Sequence, residues 1–349
     1  MGEQKQIVTN RIEYIDIMRG LGILLMIMGH IGFGKSFDTY IHAFHMPVFY
    51  VISGYLFKNN PVPTEAFVVR KARQLFIPYF VFAVIGFLGT YMTGGINGID
   101  FWSKLNDTFF NPTIRGVPLA GALWFLPALF WINVIFHYLH KWFGKNDYIL
   151  FAITLVTGFV GMLATERYNI YLPMGLDAAL SGVAFIGTGY FLKQMMHRKF
   201  IHACFHMNVA VFIVTALLQA YLAFFNGDVN FRTGQYGNIV LAWFNAMLGS
   251  ILLWNLSRWL GYALNKWKKL IIIQGIMQIG ANSLTFVCLN QWIIQVVSNS
   301  VAIPAWDSLG IPYLKETLIL CIVCFILCVI MQILENSKLR VLLGKNREI

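Results

Sequence analysis

Long apolar runs separated by short polar breaks organise this chain. Bounded by Gly, Pro, Asn and charged residues, they cover about 12–32, 41–57, 75–93, 120–138, 148–164, 177–195, 203–225, 236–257, 276–297 and 315–335. A helix needs about 20 apolar residues to cross the hydrocarbon of a bilayer, so the pattern predicts ten transmembrane helices. The second run is short and opens on two histidines. The ninth carries Asn282, Ser283, Asn290 and Gln291 in its interior.

Charge orients the spans. Ten crossings put both termini on one side, and that side collects 19 Lys and Arg against 6 on the other, with Arg19 inside the first span. By the positive-inside rule the N- and C-termini are expected to be cytoplasmic. The net charge of +11 is therefore a topological signal and does not point to nucleic acid.

Composition agrees with this reading. Of 349 residues 58% are hydrophobic and 12% charged, where a soluble domain has about 25% charged. The expectation is an all-α integral membrane protein in which residues 1–349 form one membrane domain. No cleavable signal peptide is expected, because the polar residues 1–13 lead into the first apolar run without a small-residue cleavage motif. No polar stretch is long enough for a second, soluble domain. No internal repeat is visible, which disfavours an inverted-repeat transporter. The five cysteines lie in apolar runs, and Cys321, Cys324 and Cys328 share a helical face, as small packing residues do.

The first span reads EYIDIMRGLGILLMIMGHIGFG (13–34) and carries Asp16, Arg19 and His30. Ionisable groups inside a membrane segment face protein or a wet cavity. Eleven steps of about 100° leave Arg19 and His30 about 20° apart around the helix and about 16 Å apart along it. Asp16, three residues before Arg19, is placed to pair with the guanidinium. One stripe thus holds a fixed cation near the cytoplasmic end and a titratable base near the other. That arrangement suits a substrate that enters from inside, anchors an anionic part at Arg19 and presents its reactive end to His30. On this stretch alone a second reading stands: Arg19 snorkels to the interface and His30 lies among headgroups.

The next stretches add to the first reading. In YIHAFHMPVFYVISGYLF (40–57), His42 and His45 fall on the side where His30 ends. A zinc site of these three histidines ranks below a hydrogen-bonding role, since nothing in the sequence fixes their geometry, and no metal is expected. In VRKARQLFIPYF (69–80), Arg70 and Arg73 lie one turn apart at the cytoplasmic edge, a pairing that suits phosphate and also serves the positive-inside rule.

These segments together resemble the acyltransferase 3 family of bacterial membrane O-acyltransferases, and most closely its fucose 4-O-acetylase-like members. The resemblance rests on IDIMRGLGILLMIMGH, on FHMPVFYVISGYLF and on RKARQLFIPYF. Weaker likenesses are ALWFLPALF (122–130), LDAALSGVAFIGTGYFLK (176–193) and IGANSLTFVCLNQWII (279–294). It implies a ten-helix plasma-membrane enzyme that moves an acyl group, usually acetyl, from cytoplasmic acetyl-CoA to a hydroxyl of a surface or lipid-linked saccharide. It implies that His30 is the catalytic histidine and that Arg19, Arg70 and Arg73 bind the donor. Asp16, as partner of Arg19, and His45, with Asn290 or Trp124 as an oxyanion donor, complete the expected site. One departure is Asn290, which stands where many relatives have a histidine; Asn is no base at neutral pH, which leaves His30 as the better base.

Two mechanisms stay open on the sequence. His30 takes the proton of the attacking hydroxyl as a general base, or it carries the acyl group as a nucleophile. A rival class also stands: a transporter or flippase of a lipid-linked saccharide, which needs a polar interior but no donor site. The long loop 93–118, with Trp102, Phe109, Phe110, Asp100, Asp107 and Arg115, is the expected place for acceptor choice, or else anchors its helices at the interface.

Overall fold

A computed structural model describes residues 12–59, 63–96, 98–199, 201, 205, 209–266, 270–300 and 311–345. Lys5, Arg11, Cys204, Lys268, Lys269, Arg347 and part of the start of the seventh expected span lie outside the described residues. Among those described, the structure is helical, with an isolated bridge between Asn230 and Gln235 in place of any strand. The helices are α1 (Glu13–Ile31), α2 (Lys35–His42), α3 (His45–Tyr55), α4 (Thr64–Met92), α5 (Phe101–Phe110), α6 (Phe125–Phe143) and α7 (Asp147–Tyr168). They continue as α8 (Leu176–Met195), α9 (Val209–Asn226), α10 (Ile239–Lys266), α11 (Ile271–Ala281), α12 (Ser283–Ser300) and α13 (Leu314–Glu335).

Eight of the ten expected spans are single helices long and apolar enough to cross a membrane, so this is an all-α, multi-pass membrane protein. The other two differ from the sequence expectation, each for a physical reason. The ninth span is broken: α11 and α12 meet at Asn282 with a bend of 96°. The second span folds as α3, whose 11 residues cover about 16 Å, half the roughly 30 Å of hydrocarbon. Helix α3 avoids lipid altogether: His45 through Ile52 and Gly54 are buried. A helix apolar on every face belongs inside a bundle. Small residues let it settle there. A Cβ on Gly54 would lie 1.9 Å from the carbonyl oxygen of Ile186 in α8, and one on Gly189 would lie 2.1 Å from that of Val51 in α3.

Helix α1 packs against α3, α10, the α11–α12 pair and α13. Its tightest contact is with α11, where a Cβ on Gly20 would fall 2.0 Å from the Ile276 oxygen and one on Gly280 would fall 1.8 Å from the Asp16 oxygen. Backbones approach this closely only where both helices present small residues. Gly32 then stops α1 in the left-handed conformation (φ 89°), with its N–H bonded to the Met28 oxygen at 3.0 Å. The cysteines of α13 are free; Cys321 is exposed, and Cys324 and Cys328 are half-buried.

Gly280→Ala is expected to destabilise the bundle by roughly 1–3 kcal/mol, because a backbone and not a flexible side chain must give way. Gly275→Ala, whose Cβ would meet nothing within 4 Å, is the control and should be neutral or slightly stabilising. Thermal unfolding of both variants in detergent checks the difference.

Candidate functional site

Two cavities lie along α1, one at each end of its polar stripe. The first, of about 290 Å³, is lined by Met26 and His30 of α1, His42, His45 and Met46, the 121–124 turn, the loop 230–232 and Gln291 of α12. The second, of about 560 Å³, is lined by Arg19 of α1, Phe49 and Ser53 of α3, Arg73 of α4, Phe125 of α6, and Ser283 and Val287 of α12. Residues from the chain's end, Arg340 and Lys345, complete it. Arg19 and His30 share a stripe as expected and each opens into a cavity of its own.

A band of rings lies beside α1 in the wall of the Arg19 cavity. Phe49 packs on α1 at Gly22, where a Cβ would lie 2.9 Å from its Cζ. Its ring meets that of Phe125 edge-on, with centroids 5.7 Å apart and planes at 64°. Trp124, the neighbour of Phe125, lies in the wall of the His30 cavity. Along α1 this band falls between Arg19 and Met26.

At the His30 end each imidazole has a defined partner. Gln291 places its amide nitrogen 3.1 Å from His30 Nδ1, and its amide oxygen accepts from the Gly121 N–H. With the oxygen so engaged, the amide donates to His30, and that ring nitrogen is the acceptor. A side chain on Gly121 would meet the Gln291 amide at 2.9 Å, so this contact needs a glycine. His42 Nδ1 lies 2.7 Å from the Asp38 carbonyl oxygen and His45 Nδ1 lies 2.9 Å from that of Ile41. A carbonyl only accepts, so both neutral rings carry their proton on Nδ1 and keep the Nε2 lone pair. The two rings stack edge to face at 4.9 Å. Among the described residues no group of three or more His, Cys, Asp or Glu is arranged to hold a metal ion.

Sequence reasoning missed two residues here. Arg232 lies in the loop between α9 and α10, which Asn230 shapes by accepting from the N–H groups of Arg232 (3.0 Å) and Thr233 (3.3 Å). Phe231 and Tyr236 anchor the loop in the core. Burial lowers the pKa of the Arg232 guanidinium, and among the described residues no carboxylate pairs with it. No motif marks this arginine, because a loop folded back over a cavity leaves no periodic signal. Gln291 was visible as a polar residue in an apolar run, but its neighbour Asn290 drew the attention. Asn290 is fully buried and donates to the Phe286 and Val287 carbonyls of its own helix at 2.8 and 2.9 Å. It does not line the cavity.

The loop 93–118 contributes none of its expected acceptor residues to the His30 cavity. Helix α5 instead packs on α4: Phe109 stacks on Phe80 at 5.8 Å, and Tyr79 donates to the Thr108 oxygen at 2.8 Å. Trp102 is left 75% exposed.

At the Arg19 end, Asp16 is buried and its Oδ1 lies 3.6 Å from Arg19 Nη1, the pairing the spacing predicts. Arg73 lines the cavity. Arg70 does not: its guanidinium carbon sits 5.8 Å from the centroid of Phe67, on the exposed face of α4. The expected two-arginine clamp is thus divided, with one member in the cavity wall and one outside it.

Fold and site together describe a multi-pass membrane protein with polar cavities toward both ends of one helix. Residues 12–333 match the acyltransferase domain model, Acyl_transf_3. The chain belongs to this family of membrane O-acyltransferases and is a transferase. No curated protein and no solved structure matches it.

Gln291 is placed to position the His30 imidazole. Gln291→Ala is expected to lower kcat roughly 10- to 100-fold while KM for the acyl donor stays within about twofold, because the imidazole and the Gly121 N–H lose their partner while the Arg19 cavity loses no lining residue. Steady-state kinetics at varied donor concentration separates this from a general loss of structure, which lowers the amount of active enzyme and leaves the turnover of the folded fraction unchanged.

Proposed function

We propose that this protein moves an acyl group, acetyl by preference, from cytoplasmic acetyl-CoA to a hydroxyl of a cell-surface or lipid-linked saccharide in a bacterial plasma membrane. The observation that carries this reading is the division of one polar stripe of α1 between a basic cavity at Arg19 and an imidazole-lined cavity at His30. An acyl-CoA has the matching division, with phosphates at one end of a long flexible arm and a thioester at the other. The excess of Lys and Arg on the Arg19 side supports a cytoplasmic placement of that end.

In this reading Arg19, steadied by Asp16, and Arg73 hold the donor's phosphates, and Arg70 draws the anion toward the cavity from the exposed face of α4. The arm passes the band of Phe49 and Phe125. It covers the ~16 Å from Arg19 to His30, which brings the thioester to the imidazole. The sugar hydroxyl oxygen attacks the thioester carbonyl. A C–O bond forms, the C–S bond breaks, the hydroxyl proton passes to His30, and the sulfur leaves as the thiolate of CoA. His30 then returns the proton to that sulfur. Carriage of the acyl group by the imidazole reaches the same products in two steps.

The hydrogen bonds around the His30 cavity support the remaining roles in this reading. His45 is expected as an oxyanion donor from sequence, but its Nδ1–H is committed to Ile41. The neutral ring therefore offers an acceptor, suited to orienting the sugar hydroxyl. Arg232 supplies the positive charge that a developing oxyanion requires in a low-dielectric site. The saccharide-transporter alternative has no need for this chemistry, and membership of a transferase family speaks against it.

The test is radiolabelled acetyl-CoA supplied to inside-out membrane vesicles that contain the acceptor. Label is expected in the glycan with the wild type and is lost, by at least a thousandfold, with His30→Ala at equal membrane abundance. Near-normal transfer by that variant would remove His30 from the chemistry; no transfer by the wild type would remove acetyl-CoA as donor.

A further inference from the structure

The family match ends at residue 333, yet the wall of the Arg19 cavity does not. Beyond α13 the chain turns at Asn336 into the short 3-10 segment Lys338–Leu343 and lies back against α4. Ser337 starts this strap, its hydroxyl accepting from the Leu339 N–H at 3.2 Å. Leu343 pins it, with 1% of its surface exposed. Gly344 closes it at φ 68°, a conformation that favours glycine. A Cβ on Gly344 would also fall 2.3 Å from the Arg73 carbonyl oxygen. The strap is therefore built to lie on α4 at the turn that carries Arg73.

Two of its three cations face the cavity, and the third, Lys338, is exposed. Arg340 and Lys345 line it together with Arg19 and Arg73. Lys345 is held by Glu335 of α13 and reaches Asn282 Oδ1, at the bend between α11 and α12, at 3.4 Å. Four cations thus meet in one cavity, where Asp16 pairs with Arg19 and Glu335 with Lys345. The four come from α1, α4 and the strap. Such a convergence suits a ligand that carries more than one phosphate.

We propose that the strap is a phosphate-binding subsite of the donor cavity, in which Arg340 and Lys345 hold phosphates of the CoA moiety opposite Arg73. This rests on the acyl-CoA reading above and extends it to residues outside the family match. Arg340 offers a planar fork for two phosphate oxygens, and Lys345 a point charge whose position Glu335 and Asn282 fix. The strap ties donor binding to the end of the chain, and its anchorage at Gly344 sets the distance between Arg340 and Arg73.

The experiment is equilibrium binding of radiolabelled CoA, without an acyl group, to the purified full chain in neutral detergent at several salt concentrations. Arg340→Gln and Lys345→Gln are each expected to weaken binding about tenfold and to flatten its salt dependence. Arg340→Lys should recover part of the loss, and Lys141→Gln, which removes an exposed charge elsewhere, should bind as the wild type does. A second measurement uses the unaltered protein: bound CoA should shield the Lys345 amine, and not that of Lys141, from an amine-reactive label read by mass spectrometry. If the wild type binds CoA and Arg73→Gln weakens it, while both strap variants bind within twofold of wild type and Lys345 labels equally with and without CoA, the strap has no part in the site. If the wild type binds no CoA, the acyl-CoA reading itself falls and takes this subsite with it.

Discussion

The backbone of α1 lies against that of α11 at Gly20 and Gly280, where a methyl group on either would come within 2.0 Å of a carbonyl oxygen of the other helix. A contact between backbones admits little rotation, since the carbonyls cannot swing aside as side chains do. It fixes which face of α1 looks into the bundle. Arg19 and His30, about 20° apart around the helix axis, then share that face by geometry. Had α1 been free to turn, burying Asp16 beside a cation would serve no purpose, and lipid would take the place of one cavity.

The same constraint explains the broken ninth span. Helix α11 ends at Ala281 against α1, and the 96° turn sends α12 away so that Gln291 faces the His30 cavity. Ser283 and Val287, at the start of α12, face the Arg19 cavity. One helix therefore lines both sites, and the bend lets it do so while its partner keeps its grip on α1. Asn282 at the corner accepts from Lys345, so the corner and the chain's end hold one another.

Much of this was legible in the sequence where periodicity carries the signal. Eight spans, the Arg19–His30 stripe and the Asp16–Arg19 pair all follow from counting residues along a helix. The misses share a cause: they depend on which distant segment covers which face. Helix α3 has 11 residues, too few to cross the hydrocarbon, and packs between α1 and α8, which hydropathy cannot reveal. Arg70 and Arg73 are one turn apart, yet Phe67 takes up one guanidinium and the cavity the other. Arg232 reaches the site through a loop whose shape comes from Asn230 and from the burial of Phe231 and Tyr236. Asn290 and Gln291 differ by a single step of 100°, enough to turn one back onto its own helix and the other toward His30.

The band of rings beside α1 bears on how such a site can exist in a membrane at all. A water-filled passage from Arg19 to His30 would carry protons past an imidazole and past cations across most of the bilayer. Phe49 and Phe125 place rings beside α1 between Arg19 and Met26, and Gly22 provides the space in α1 that lets Phe49 approach it. Rings rather than backbone stand at this level, so making room there needs only rotamer changes, which cost far less than moving a helix. On the acyl-CoA reading proposed above, the donor's narrow arm needs less room than a sugar ring. On that reading the band admits the arm together with its acyl group and holds back the sugar.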